Sequence, residues 1–245
     1  MQLPDVGGIL EADEVAATVD AIARVQLPNG MIPWFPGGHS DPWNHVEAAM
    51  ALLVGGRRAD AERAYEWLRA NQRPDWELSA ARLGYVIARR PEYFAPKNRW
   101  AMDWYYPVLS GVLTDDDARA RLDERWDTFV MEGLGVRCVA DRPWVTAAET
   151  CECVMAYDAA GEQGKALALF DWAQHLRLPD GSYWTGMVYP EEKTFPGAER
   201  STYTAAAVVL AADALAGSNP TSGLFRGETL PVLTALAEDS VDDRR

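Results

Sequence analysis

Three stretches of the chain set carboxylates among aromatic and apolar neighbours, the mixture that acid–base chemistry on an uncharged substrate uses. The first is Trp34-Phe35-Pro36-Gly37-Gly38-His39-Ser40-Asp41-Pro42-Trp43-Asn44-His45-Val46-Glu47. Proline suits a first helical turn, so Asp41 before Pro42 reads either as a plain N-cap or as a catalytic acid. Glu47 follows among Val46, Ala48, Ala49, Met50, Ala51, Leu52 and Leu53, and is either buried with a partner or lines a cavity. The second stretch is Trp100-Ala101-Met102-Asp103-Trp104-Tyr105-Tyr106-Pro107. Either a cation such as Arg99 compensates Asp103 or the carboxylate belongs to a functional pocket. In the third, Glu149 and Glu152 lie three residues apart on one helix face of an apolar run. Two like charges so placed raise one pKa unless a cation, Arg137 or Arg142, intervenes.

Glycoside hydrolysis needs two carboxylates flanking the scissile bond and favours flat rings on which sugars stack. Asp41 and Asp103 are the expected catalytic pair. Trp34, Trp43, Trp104 and Trp184 are expected to stack on the substrate. His45, Glu47 and Glu149 would bind its hydroxyls, with Tyr105, Glu152 and Tyr189 completing the site. Which carboxylate is the acid, and whether configuration is retained, depends on a separation that a sequence does not contain. His39, Asp41 and His45 resemble a two-His-one-carboxylate triad in composition, but all fall within one loop and one helix start. No metal and no cofactor are therefore expected.

The segments that must position these residues read as helices. Apolar residues recur at three- and four-residue steps in 11–26, 60–72, 77–90, 99–113, 115–130, 144–160, 162–177 and 201–216. No run of alternating residues supports a substantial sheet, so the expected class is all-α. Thr114-Asp115-Asp116-Asp117 reads as a helix start, not an acidic catalytic cluster. The connections repeat a theme. Gln26-Leu27-Pro28-Asn29-Gly30 precedes Trp34, Arg177-Leu178-Pro179-Asp180-Gly181 precedes Trp184, and Gln72-Arg73-Pro74-Asp75 precedes Trp76. Paired helices joined in this way close into a toroid, an (α/α) barrel, or a solenoid, and the chain is short for a full toroid, so an incomplete ring is expected. The segment 183–197, with three aromatics and a charged centre, is expected as a long loop walling or covering the pocket. The expected organisation is one helical domain over residues 1–237 and a frayed tail over 238–245.

The Gln26…Gly30…Trp34 pattern resembles the repeat of the terpene cyclase and protein prenyltransferase toroid. The three carboxylate-bearing stretches are similar to an actinobacterial family often labelled prenyltransferase, a member of which is an α-mannoside hydrolase acting on methylmannose polysaccharide. That resemblance implies an endo-mannosidase-like enzyme cleaving α-mannosidic bonds in a partly O-methylated mannose polysaccharide. The residues speak against the label itself. No Asp-x-Cys pair offers a zinc site, no Asp-x-Asp-Asp cluster offers a cyclase acid, and no acidic pair with basic partners offers a diphosphate site. An isoprenoid cyclase or transferase and a non-catalytic carbohydrate-binding scaffold are the alternatives.

Composition agrees with an uncharged substrate. Over 245 residues, 23 Lys and Arg against 37 Asp and Glu leave a formal net charge of −14. That disfavours nucleic acid, anionic membrane and diphosphates as partners. Three cysteines do not make a disulfide framework, and the first residues carry no signal peptide, so a cytoplasmic protein with reduced thiols is expected, with a homodimer allowed. Ten tryptophans against nine tyrosines and six phenylalanines require either an aromatic core or an aromatic-lined pocket. Trp67, Trp126 and Trp172 fall in amphipathic helices and read as packing.

Overall fold

The computed structural model describes residues 2–71, 83, 85–87, 89, 90 and 98–228. The third turn, 72–76, most of the helix expected over 77–90 and the tail 238–245 lie outside these residues. Helices α1 (Ala12–Ala23), α2 (Pro42–Val54), α3 (Arg58–Asn71), α4 (Met102–Leu109), α5 (Asp115–Asp123), α6 (Trp126–Phe129), α7 (Ala147–Ala159), α8 (Gln163–Ala173) and α9 (Thr202–Ala216) carry the fold. None of the described helices is long and apolar enough to cross a membrane.

Two kinds of helix follow from two kinds of pattern. In α1 the buried residues are Val15, Thr18, Val19 and Ile22, and in α3 they are Ala61 and Ala64, one stripe on an otherwise polar surface. In α7 and α9 nearly every side chain is buried, because small and apolar residues occupy most positions all round the helix, with a few acids such as Glu152 and Asp213 buried among them. The physical consequence is an inner row and an outer row. Inner helices pack in the order α4, α7, α9, α2, and outer helices lie on them: α5 on α4, α8 on α7, α1 on α9 and α3 on α2. Among the described residues the result is a helix-rich (α/α) arrangement that does not close into a barrel. The ring stack of Trp43 on Tyr106, centroids 5.0 Å apart, joins the start of α2 to α4.

The repeated turn folds the same way twice. In one copy Gly30 N–H donates to Leu27 O and Met31 N–H to Asn29 Oδ1; in the other Gly181 N–H donates to Leu178 O and Ser182 N–H to Asp180 Oδ1. Gly30 and Gly181 have φ of 92° and 83°, and a Cβ on either would run into helix backbone, that of Arg63 or of Ala17. Glycine is thus required both for conformation and for close approach.

Several expected helices end early or begin late. Trp144–Thr146 is a strand, β3, before α7 begins, and the segment expected as a loop over 183–197 folds into strands β4 (Gly186–Val188) and β5 (Lys193–Phe195). These pair antiparallel in the order β3-β4-β5, and Trp144 stacks on Phe195 with centroids 4.6 Å apart. A second small sheet pairs β1 (Val130–Met131) with β2 (Gly135–Val136). Strands of two or three residues are too short to show alternation, which is why the sequence pattern does not announce them. The helix expected over 115–130 breaks between α5 and α6 at Arg125, whose φ and ψ of −129° and 15° are not helical. That expected over 99–113 shortens to α4, with Pro107 in its last turn and Gly111 at φ 72° just beyond it.

Candidate active site

The starts of the inner helices carry the chemistry. Asp41 caps α2: its Oδ1 accepts from Asn44 N–H at 3.1 Å, while Oδ2 accepts from Trp34 Nε1 at 2.6 Å and Asn44 Nδ2 at 2.5 Å. The cap and the pocket residue are therefore one side chain, fixed by three donors and still partly exposed. Two turns further along α2, Glu47 is 2% exposed, and across from it on α7 Glu152 is 3% exposed. Tyr105 Oη donates to Glu152 Oε2, and Tyr106 Oη at 3.2 Å and Trp43 Nε1 at 3.3 Å donate to its Oε1. Glu149, one turn ahead of Glu152, is partly exposed.

Electrostatics make this an acid-holding site. Burial drives the Glu47 carboxyl well above the ordinary carboxylate range, and the nearby charges of Glu152, Glu149 and Asp41 push it the same way. Neither Glu47 oxygen accepts a hydrogen bond from a donor side chain or backbone group. Glu152 is the neighbour that acts on Glu47 most strongly after burial itself. Glu152 is raised to about 7, chiefly by burial and then by Glu149, with the donors from Tyr105 and Trp43 pulling the other way. Burial also raises Glu149. Among the described residues no arginine or lysine pairs with any of the four. The cations expected beside them are used elsewhere: Arg137 Nη1 donates to Ala140 O and Arg99 pairs with Asp141 at 3.0 Å. Among the described residues no three His, Cys, Asp or Glu side chains are arranged to hold a metal ion.

The structure thus gathers Trp34, Asp41, Trp43, Glu47, Tyr105, Glu149 and Glu152. Asp103 lies in the first turn of α4, three residues before Tyr106 and so on the same face of the helix; its backbone carbonyl accepts from Arg121 Nη2 at 2.7 Å. Four residues expected at the site are engaged in other ways. His45 is fully buried, with Nδ1 accepting from Ile32 N–H at 3.1 Å and Nε2 3.0 Å from Ala64 O. Trp104 is 1% exposed, stacks on Phe129 and donates to the carbonyls of Arg121 and Leu122, so its ring faces are covered by the core. Trp184 packs on the core, with the Arg200 guanidinium 6.0 Å from its ring centre. Tyr189 is buried, its hydroxyl 2.5 Å from His175 Nε2.

Two residues that sequence reasoning did not single out belong to the site. Tyr106 backs Trp43 and bonds Glu152, and Tyr203, at the first turn of α9, lies against Trp34 with centroids 4.8 Å apart. Burial raises the Tyr203 hydroxyl, and the charges of Glu149 and Glu152 act on it too. The available signal was positional: Tyr203 is a lone aromatic opening an alanine-rich inner helix, at the same level as the starts of α2 and α7.

No family model matches the chain. It is 37% identical to the MMP endo-(1,4)-3-O-methyl-alpha-D-mannosidase of Mycolicibacterium hassiacum, across 94% of this chain and 93% of that protein. Among solved structures it is similar to an α-1,6-mannanase of Salegentibacter sp. HEL1_6, free and as an inactive variant with α-1,6-mannotriose, with TM-scores of 0.35 and 0.40 and 13% identity. Those matches cover 87% of this chain, which spans 65% of the length of the mannanase chain, and nothing about the site is taken from them. On identity and coverage together, the chain belongs to the family of the MMP endo-(1,4)-3-O-methyl-alpha-D-mannosidase.

Proposed function

We infer that this protein is a glycoside hydrolase that cleaves internal α-mannosidic bonds in a partly 3-O-methylated mannose polysaccharide. The observation that carries the reading is the set of four carboxylates, two buried and two partly exposed, gathered inside an aromatic frame with no paired arginine or lysine among the described residues. Such an acidic group suits a neutral sugar and repels a diphosphate. Trp43, 41% exposed and backed by Tyr106, offers an open ring face on which a pyranose or its methyl ether can lie. Family membership supplies the substrate class.

In this reading Asp41 acts as the general base or nucleophile. Its two oxygens accept three hydrogen bonds, which fix its direction. Glu149 acts as the proton donor, because it is accessible and burial holds its proton on. The Glu149 charge acts on the hydroxyls of both Tyr106 and Tyr203. Asp103, the partner that the sequence suggests for Asp41, stands one turn ahead of Tyr106 on α4 and is the competing donor.

The test is to incubate the purified protein with 3-O-methylated α-(1,4)-mannose oligosaccharides and to follow shortened products by mass spectrometry. Turnover should fall by about 10²- to 10⁴-fold in Asp41→Asn and in Glu149→Gln. If Asp103→Asn abolishes cleavage while Glu149→Gln does not, the donor is Asp103. Absence of cleavage by the unmodified protein defeats the function, and full turnover in Asp41→Asn defeats the site.

A further inference from the structure

Glu47 is a buried acid that the proposed chemistry does not use. It sits on α2 behind Asp41, 2% exposed, and no donor side chain or backbone N–H satisfies either of its oxygens. A buried carboxylate left in that state is costly, and the arrangement relieves the cost only when Glu47 carries a proton and gives it to a neighbour. The neighbour is Glu152 on α7. Glu152 in turn accepts from Tyr105, Tyr106 and Trp43, three aromatic side chains from two other elements. One of these, Trp43, has an exposed face and rests on another, Tyr106.

We propose that Glu47 is a positioning residue that holds a proton bridging it to Glu152, and that this carboxyl pair fixes the Trp43–Tyr106 wall on which the sugar lies. The proposal rests on the function inferred above for its substrate, but not for the shared proton. Among the described residues the groups facing the pair are all neutral or acidic: Asp41 ahead of α2, Tyr105 and Tyr106 from α4, Glu149, Cys151 and Cys153 from α7, and Tyr203 from α9. No cation among them can replace the proton once it leaves. Loss of the proton leaves two buried carboxylates opposed, and the wall anchored to Glu152 loses its fixed geometry.

The experiment compares Glu47→Leu, Glu47→Gln and the unmodified protein in two assays. In the first, KM and kcat for a methylated mannose oligosaccharide are measured from pH 5 to 9. Glu47→Leu should raise KM by about tenfold with a smaller change in kcat, the size expected for one lost hydrogen bond to a charged group. Glu47→Gln, whose amide still donates, should recover most of that loss and carry the alkaline fall in activity to higher pH. In the second, melting temperature is followed over the same pH range without substrate. The unmodified protein should lose stability as pH rises, and Glu47→Gln should lose less. Identical pH profiles in Glu47→Gln and the unmodified protein in both assays would overturn the shared proton. A fall confined to kcat in Glu47→Gln would make Glu47 a participant in the chemistry and overturn its positioning role. If the unmodified protein cleaves no sugar, the function fails, and the melting curves still decide whether the pair shares a proton.

Discussion

Replacing Glu152 with glutamine should change how the stability of the fold depends on pH. Glu152 is 3% exposed and its carboxyl is raised from 4.5 to about 7, with burial the first cause and Glu149 the second. A group whose pKa is higher in the folded than in the unfolded chain binds more protons when folded. Its contribution is fully present below pH 4.5 and is lost as pH rises through about 7. At about 1.4 kcal/mol for each pH unit between the two values, the loss from this one residue is on the order of 3 kcal/mol. Glu47 acts in the same direction, and part of its elevation comes from Glu152 itself, so glutamine at 152 removes some of that slope as well. His45 acts oppositely below pH 6.5, because burial lowers its pKa, but it does so in both proteins. The carboxylates held low, Asp60, Asp180 and Glu228, act below the ordinary carboxylate range, outside the window. Urea unfolding followed by tryptophan fluorescence at pH 4.5, 6, 7 and 8 gives the comparison. The free energy of Glu152→Gln relative to the unmodified protein should rise by about 3 kcal/mol across that range. A difference that stays flat with pH would refute the argument that Glu152 is buried with its proton on.

Three further outcomes follow from the geometry. Trp104→Ala should destabilise the fold by about 3–5 kcal/mol in urea titration, since it empties a core position between Phe129 and Tyr157 instead of a sugar subsite. Trp43→Ala should weaken binding of a methylated mannose oligosaccharide by on the order of tenfold in calorimetry and lower the unfolding free energy by about 1–3 kcal/mol, since its donor to Glu152 and its stack on Tyr106 go with it. Gly181→Ala should cost more than Gly161→Ala in thermal melts: both residues have φ near 80°, but only at 181 would the new Cβ meet the backbone of Ala17, whereas nothing lies within 4 Å at 161.

The comparison of sequence and structure turns on particular residues. Asp41 carries two readings, cap and pocket acid; the fold shows the cap, and it leaves the same side chain partly exposed beside Trp34. The Asn-Gly and Asp-Gly turns could be read directly, since their hydrogen bonds close within five residues and glycine has no substitute at a positive φ beside a helix backbone. The tryptophans could not be sorted so easily. Trp104 and Trp43 sit in similar sequence surroundings, next to a carboxylate or a proline near a helix start, yet one is enclosed by Phe129 and Tyr157 and the other stands open on Tyr106. The missing neighbours come from distant parts of the chain. His45 was open to a substrate role for the same reason: its partners Ile32 and Ala64 lie 13 and 19 residues away.

By itself the sequence determined the helical class, the two described turns, the caps and the acidic, uncharged-substrate character, because each depends on side-chain spacing over a few residues or on composition. Tertiary structure alone decided which acids meet. Glu47 and Glu152 are 105 positions apart in the chain and act on one another as buried acids because α2 and α7 both pack against α9. Charge and burial at that meeting point, rather than any local motif, set the acid strength on which the proposed chemistry depends.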